Sequence, residues 1–174
     1  MNTSDTFEIQ LPQEKDTLLL GQILAKTVDS LIYKKNDEPV SIEPNFKIYL
    51  SGELGSGKTS LAREFLRTFG VIGRIKSPTY TLLETYKVSR LYLYHFDFYR
   101  FNDPLEWFEA GFNDTLSSPG ISIIEWPEMA KETLPQPDLN ITLYYEGEGR
   151  IAKINAFSDR GVACLSMMSK IYKK

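Results

Sequence analysis

One octapeptide constrains this chain more than any other feature. Gly52-Glu53-Leu54-Gly55-Ser56-Gly57-Lys58-Thr59 fits the Walker A spacing G-x-x-x-x-G-K-[ST] without a gap. Glycines let the backbone curl so that successive N–H groups point inward at phosphate oxygens, and a helix beginning there presents its positive dipole end to the same anion. Lys58 offers a mobile positive charge to the β and γ phosphates, and Thr59 a hydroxyl to magnesium. Such a loop needs a strand before it and a helix after it. Residues 46–51 are a short apolar run of strand length. From Lys58 onward Leu61, Phe65 and Phe69 share one helical face, with Gly70 placed to end the helix. The expectation is an α/β chain with a P-loop NTPase-like three-layer fold, binding ATP or ADP with Mg2+.

The rest of the chain fills in that frame. At 174 residues it is one domain, 1–174, and 42% hydrophobic residues suffice for a core without disulfides. The single cysteine, Cys164, excludes an internal disulfide and reads as a small buried hydrophobe. Asp16 is placed to cap a helix whose apolar stripe runs Leu20, Ile23, Leu24, Val28, Leu31. The polar segment 34–45, with Pro39 and Pro44, reads as a surface loop. Residues 81–88 and 91–98 read as two strands around a tight Ser89-Arg90 turn. Asp103, Pro104 and Glu106 form a helix start, which Gly111 ends. Ile121 to Glu125, after Pro119-Gly120, has the unbroken apolar character of a buried central strand. Residues 139–145 and 150–157 alternate around Glu146-Gly147-Glu148-Gly149 and predict an antiparallel hairpin, so the sheet mixes parallel and antiparallel strands. The tail, 159–174, reads as a helix.

Net charge is −3. A chain that grips nucleic acid unaided carries a basic excess, because affinity comes largely from neutralising phosphates. Any contact with RNA is therefore expected to run through a partner. No stretch reaches the roughly 18 apolar residues of a membrane span, and residues 1–15 lack the apolar run of a signal peptide, so the expectation is a cytoplasmic protein with no membrane role.

A phosphate loop needs an acid to hold magnesium and a group to orient attacking water. Two acids end apolar strands: Glu125, after Ile121-Ser122-Ile123-Ile124, and Asp97, within Tyr94-His95-Phe96-Asp97-Phe98-Tyr99-Arg100. In a parallel sheet the C-terminal strand ends gather around the ligand crevice. Sequence leaves open which acid touches the metal directly; the working assignment is Glu125 to magnesium and Asp97 to the metal or the nucleophile. Ser77-Pro78-Thr79-Tyr80-Thr81, with its hydroxyls and rigid proline, suits a segment that senses a γ phosphate. His95 reads as a hydrogen-bonded structural histidine. The aromatic run from Tyr92 to Phe101 reads as buried packing, and Trp126 as core placed beside the site.

Together, Gly52 to Thr59, then Lys76-Ser77-Pro78-Thr79-Tyr80-Thr81-Leu82, then Tyr94 to Arg100, then Ile124-Glu125-Trp126-Pro127-Glu128 resemble the TsaE family. Leu134-Pro135 with Asp138, and Gly149-Arg150, fit the same pattern. The resemblance implies a weak Mg-dependent ATPase of bacterial tRNA threonylcarbamoyladenosine biosynthesis that answers to a TsaB–TsaD heterodimer and meets tRNA only through that complex. Carried over by motif, Gly52, Glu53, Leu54, Gly55, Ser56, Gly57, Lys58, Thr59 and Ser60 would hold the nucleotide, and Thr59 and Glu125 the metal. Lys58, Asp97 and Glu125 would be catalytic, and residues 77–81 the switch. The resemblance also brings Glu14 and Arg150 toward the nucleotide. Glu53 stands where aspartate is frequent, and the 34–45 loop is longer than usual. Two rivals remain open at this point: a small-molecule P-loop kinase, and a nucleotide-dependent binding module that does not hydrolyse ATP.

Overall fold

The structure is a computed structural model that describes residues 6–32, 45–89 and 91–173. The 34–45 loop, apart from Asn45, and Arg90 of the tight turn lie outside the described residues. The strands are β1 (Thr6–Leu11), β2 (Asn45–Gly52), β3 (Leu83–Val88), β4 (Leu91–Asp97), β5 (Gly120–Glu125), β6 (Leu139–Glu146) and β7 (Gly149–Ala156). They form one seven-stranded sheet in the order β1-β7-β6-β2-β5-β4-β3. β6, β2, β5 and β4 run parallel, while β7, β1 and β3 pair antiparallel at the flanks. The mixed sheet expected from the sequence is therefore present, with its parallel part in the middle.

Period-two alternation sorts the side chains into two cores. Phe46, Ile48 and Leu50 of β2 face one side, with Leu93 of β4 and Ile121 and Ile123 of β5. Tyr49, Tyr94, Phe96 and Ile124 face the other. Helices α1 (Glu14–Ile32), α2 (Lys58–Phe69) and α5 (Asp159–Tyr172) cover the first side, burying Leu20, Leu24 and Val28, Leu61 and Phe65, and Cys164 and Met168. The short helices α3 (Glu106–Glu109) and α4 (Phe112–Ser117), with the 3-10 turns Pro127–Met129 and Lys131–Thr133, cover the second side. Each fully buried Leu or Phe contributes about 1.5–3 kcal/mol. Cys164 is buried, and burial pushes its thiol up to about 12, so it is the inert small hydrophobe expected.

Most helix signals read from the sequence are where they were expected. Gly70, left-handed at φ 113, ends α2, and its N–H donates to the Arg67 carbonyl. Glu106 accepts from the N–H groups of Asn102 and Asp103, and Asp103 from that of Leu105, as expected of a helix start, but α3 begins only at Glu106, so Asp103 is not its cap and Pro104 lies in the turn before it. Two further expectations need correction. Asp16 is not the cap of α1; it lies in the first turn and reaches back to the Gln13 N–H at 2.9 Å. Gly111 does end α3, but at φ 78 it turns the chain straight into α4, which periodicity over six residues was too short to reveal. α5 starts at a Ser158 cap, and Asp138 ties that start to β2: its carboxylate accepts from Ser158, from Arg160 and from the Lys47 N–H. Asp138, part of the family pattern, thus has a structural place in this fold.

Candidate functional site

Strand parity decides where the two acids point. Glu125 lies two residues beyond Ile123, and Asp97 two beyond His95 and four beyond Leu93, so both face the α2 side. The β4–β5 register sets Asp97 directly beside Glu125. Both are buried, at the C-terminal ends of parallel strands, where the first turn of α2 also begins. Thr59 Oγ1 donates to Glu125 Oε2 at 2.8 Å, and the other oxygen, Oε1, meets His95 Nε2 at 2.7 Å. Asp97 accepts from the Tyr99 N–H at 2.9 Å and from Thr79 Oγ1 at 3.3 Å. Burial pushes the Asp97 carboxyl above its ordinary value, against the pull of those two bonds, and the neighbouring Glu125 charge adds to the rise.

The loop between β2 and α2 has the backbone its glycines require. Gly52 and Gly57 sit at φ 133 and 106. A Cβ at Gly52 would lie 2.5 Å from the Leu143 carbonyl oxygen of the adjacent strand. The buried Lys58 amine donates to the Gly52 and Glu53 carbonyls at 2.6 and 2.8 Å and lies 4.0 Å from the centre of the Trp126 ring. Burial lowers its pKa, opposed by the charges of Glu125, Glu128 and Asp97. Trp126 holds a left-handed backbone, φ 58, anchored by its N–H on the Leu50 carbonyl and by its ring against Tyr99. A bulky residue in that region costs about 1–3 kcal/mol, and such strain clusters at functional sites.

The expected site residues fall on two sides of this loop. Thr59, Thr79, Asp97, Glu125 and Trp126 line one cavity of about 270 Å3. Glu14 and Arg150 line a second, of about 210 Å3, and Gly55, Gly57 and Ser60 border both. Of segment 77–81, Thr79 is the residue that reaches the acids, with Ser77 Oγ 2.8 Å from its hydroxyl. Tyr80 is exposed under the Arg100 guanidinium, and Thr81 bonds Glu84. Leu82, at φ 64, reverses the chain and accepts the Asp97 N–H on its carbonyl, so the segment is fastened to Asp97 twice.

Residues 11–152 match the family model of the threonylcarbamoyl adenosine biosynthesis protein TsaE. The chain belongs to the TsaE family. It is 38% identical over 127 residues to the tRNA threonylcarbamoyladenosine biosynthesis protein TsaE of Haemophilus influenzae, spanning 73% of this chain and 80% of that one. With the protein of the same description from Rickettsia felis it shares 37% identity over 134 residues, 76% and 70% of the two chains. The crystal structure of Bacillus subtilis YdiB superposes with a TM-score of 0.75 over 99% of both chains. At 22% identity that likeness carries the fold alone. The TsaE family acts in tRNA threonylcarbamoyladenosine biosynthesis, and so the chain is placed in that pathway. No described helix is long and apolar enough to cross a membrane.

One contributor in this TsaE-family site escaped sequence reading. Tyr145 of β6 donates its hydroxyl to the Leu54 carbonyl at 2.7 Å, and Arg150 donates to the Ser56 and Gly55 carbonyls at 3.3 Å each while lying 4.0 Å over the Tyr145 ring. Three successive carbonyls of the loop, those of Leu54, Gly55 and Ser56, are thereby tied to the β6–β7 hairpin. A tyrosine in an alternating hairpin carries no sequence signal for this; only the register of β6 beside β2 brings it there. Tyr145→Phe deletes one neutral hydrogen bond worth about 0.5–1.5 kcal/mol, so ADP affinity should fall roughly two- to tenfold by calorimetry. Unchanged affinity would show that the loop holds its shape without this tie.

Proposed function

We propose that this TsaE-family protein binds ATP with magnesium on the 52–59 loop and hydrolyses it slowly, in support of a TsaB–TsaD heterodimer that modifies tRNA. The observation that carries the reading is the Thr59–Glu125 contact of 2.8 Å, with the Lys58 amine in the same loop. A hydroxyl and a carboxylate are hard oxygen donors, and magnesium is commonly held by one or two such groups together with substrate phosphates. The residues present therefore fit the ion. The positive φ of Gly52, Gly55 and Gly57 supplies the curl that a backbone phosphate cradle needs.

In this reading the loop N–H groups and the first turn of α2 bind the phosphates, and Lys58 leaves its carbonyl partners to lie against the β and γ oxygens. Thr59 and Glu125 would hold the magnesium, which when bound supplies the charge that offsets the phosphate oxygens. Asp97, with its carboxyl raised by burial, orients the attacking water and accepts its proton. Thr79 couples segment 77–81 to Asp97 and so to the γ-phosphate end of the site. Glu14 and Arg150 border the remainder of the nucleotide on the other side of the loop.

Asp97→Asn tests the hydrolytic half of this reading. The amide keeps an oxygen for the Tyr99 N–H but is a poor base, so turnover should drop about a hundredfold while ADP affinity changes by less than threefold. Wild-type turnover in that variant removes Asp97 from the chemistry.

A further inference from the structure

We infer that His95 is a positioning residue for magnesium binding, holding the Glu125 carboxylate so that one chosen oxygen faces Thr59. The inference rests on the reading of Thr59 and Glu125 as the magnesium side of the site and goes beyond it, because that reading gives His95 no role.

His95 pairs across β4–β5 with Ile123, and Glu125 lies one step further on the same face, a diagonal neighbour within reach of long side chains. Both side chains are fully buried. A carboxylate only accepts, so at 2.7 Å from Oε1 it is His95 Nε2 that carries the hydrogen. Nδ1 has no hydrogen-bond partner among the described residues, so Glu125 is the single polar anchor the ring has there. A histidine kept only to fill space would bury this polar ring at a cost that a leucine avoids.

What the bond does to Glu125 follows from its other end. With Oε1 engaged by His95, Oε2 is the oxygen aimed at Thr59. Free rotation about the last side-chain torsion would otherwise exchange the two oxygens and swing both away from the first turn of α2. Partners of this kind, one bond behind a metal ligand, orient it, and their loss typically costs ten- to a hundredfold in metal affinity.

Two variants with the same amide and different reach separate positioning from packing. Gln places its amide nitrogen near the Nε2 position, while Asn is too short to span to Oε1. ADP affinity of the purified protein, measured by calorimetry across a magnesium series and in EDTA, gives the magnesium concentration at half effect without any turnover. His95→Asn should raise that midpoint about tenfold and leave ADP binding in EDTA unchanged, and His95→Gln should stay within threefold of wild type. If His95→Asn does not fold, His95→Leu takes its place, removing the donor without burying a new polar group. Equal midpoints in wild type and both variants, or equal shifts in Gln and Asn, overturn the inference. A wild-type protein whose ADP binding ignores magnesium overturns the underlying reading of Thr59 and Glu125 as well, and so the two failures are told apart.

Discussion

Lys58→Ala should lower ATP turnover by at least about a hundredfold while the fold persists. The amine is the one cation within residues 52–59, bonded to the Gly52 and Glu53 carbonyls and under the charges of Glu125, Glu128 and Asp97. Removing a preorganised charge from a site where negative charge develops costs about two to three powers of ten in rate. Its structural contribution is smaller. Burial already disfavours the charged amine, and the space it leaves adjoins the cavity that Lys58 lines with Thr59 and Glu125. The melting temperature should therefore move by only a few degrees, which circular dichroism checks. A variant that turns over ATP at the wild-type rate would mean that hydrolysis occurs elsewhere.

Gly52→Ala should be as damaging by another route. The residue sits at φ 133, a region closed to side chains, and the added Cβ would stand 2.5 Å from the Leu143 carbonyl and 2.9 Å from Ser56 Oγ. The carbonyl belongs to a paired strand, since Gly52 and Leu143 are partners across β2–β6, and cannot give way cheaply. Backbone strain of about 1–3 kcal/mol adds to overpacking of about 1–3 kcal/mol. A loss near 3 kcal/mol lowers the melting temperature by roughly 6–12 °C in a chain of this length. Gly73→Ala is the control. Its φ is also positive, at 92, but nothing lies within 4 Å of the new Cβ, so it should cost about 1 kcal/mol. Equal melting shifts in the two variants would rule out the collision as the cause.

How much of this was legible in the sequence differs by element. The loop, its flanking strand and helix, β5 and the β6–β7 hairpin all announce themselves, because each combines local periodicity with a terminating glycine. β1 does not. Its burial alternates only as Ile9 and Leu11 go inward, and its strand identity depends on pairing with β7, a partner more than a hundred residues away. The site shows the same division. Glu125 and Asp97 could be found because acids at strand ends are visible one strand at a time. Their alignment beside each other, and the His95–Glu125 and Tyr145–Leu54 bonds, are properties of register between strands. His95 was read as a bonded structural histidine, and it is bonded, but its partner is the acid of the site.

The central claim is that the 52–59 loop serves an ATPase tied to the pathway of the TsaE family. The most direct measurement is magnesium-dependent ATP turnover by the purified protein, alone and with the TsaB–TsaD heterodimer from the same source. The account predicts slow turnover alone, a clear rise when the heterodimer is added, and loss of both in Lys58→Ala. Absence of turnover under both conditions, with ATP bound intact, would contradict it and leave a nucleotide-dependent binding module in its place.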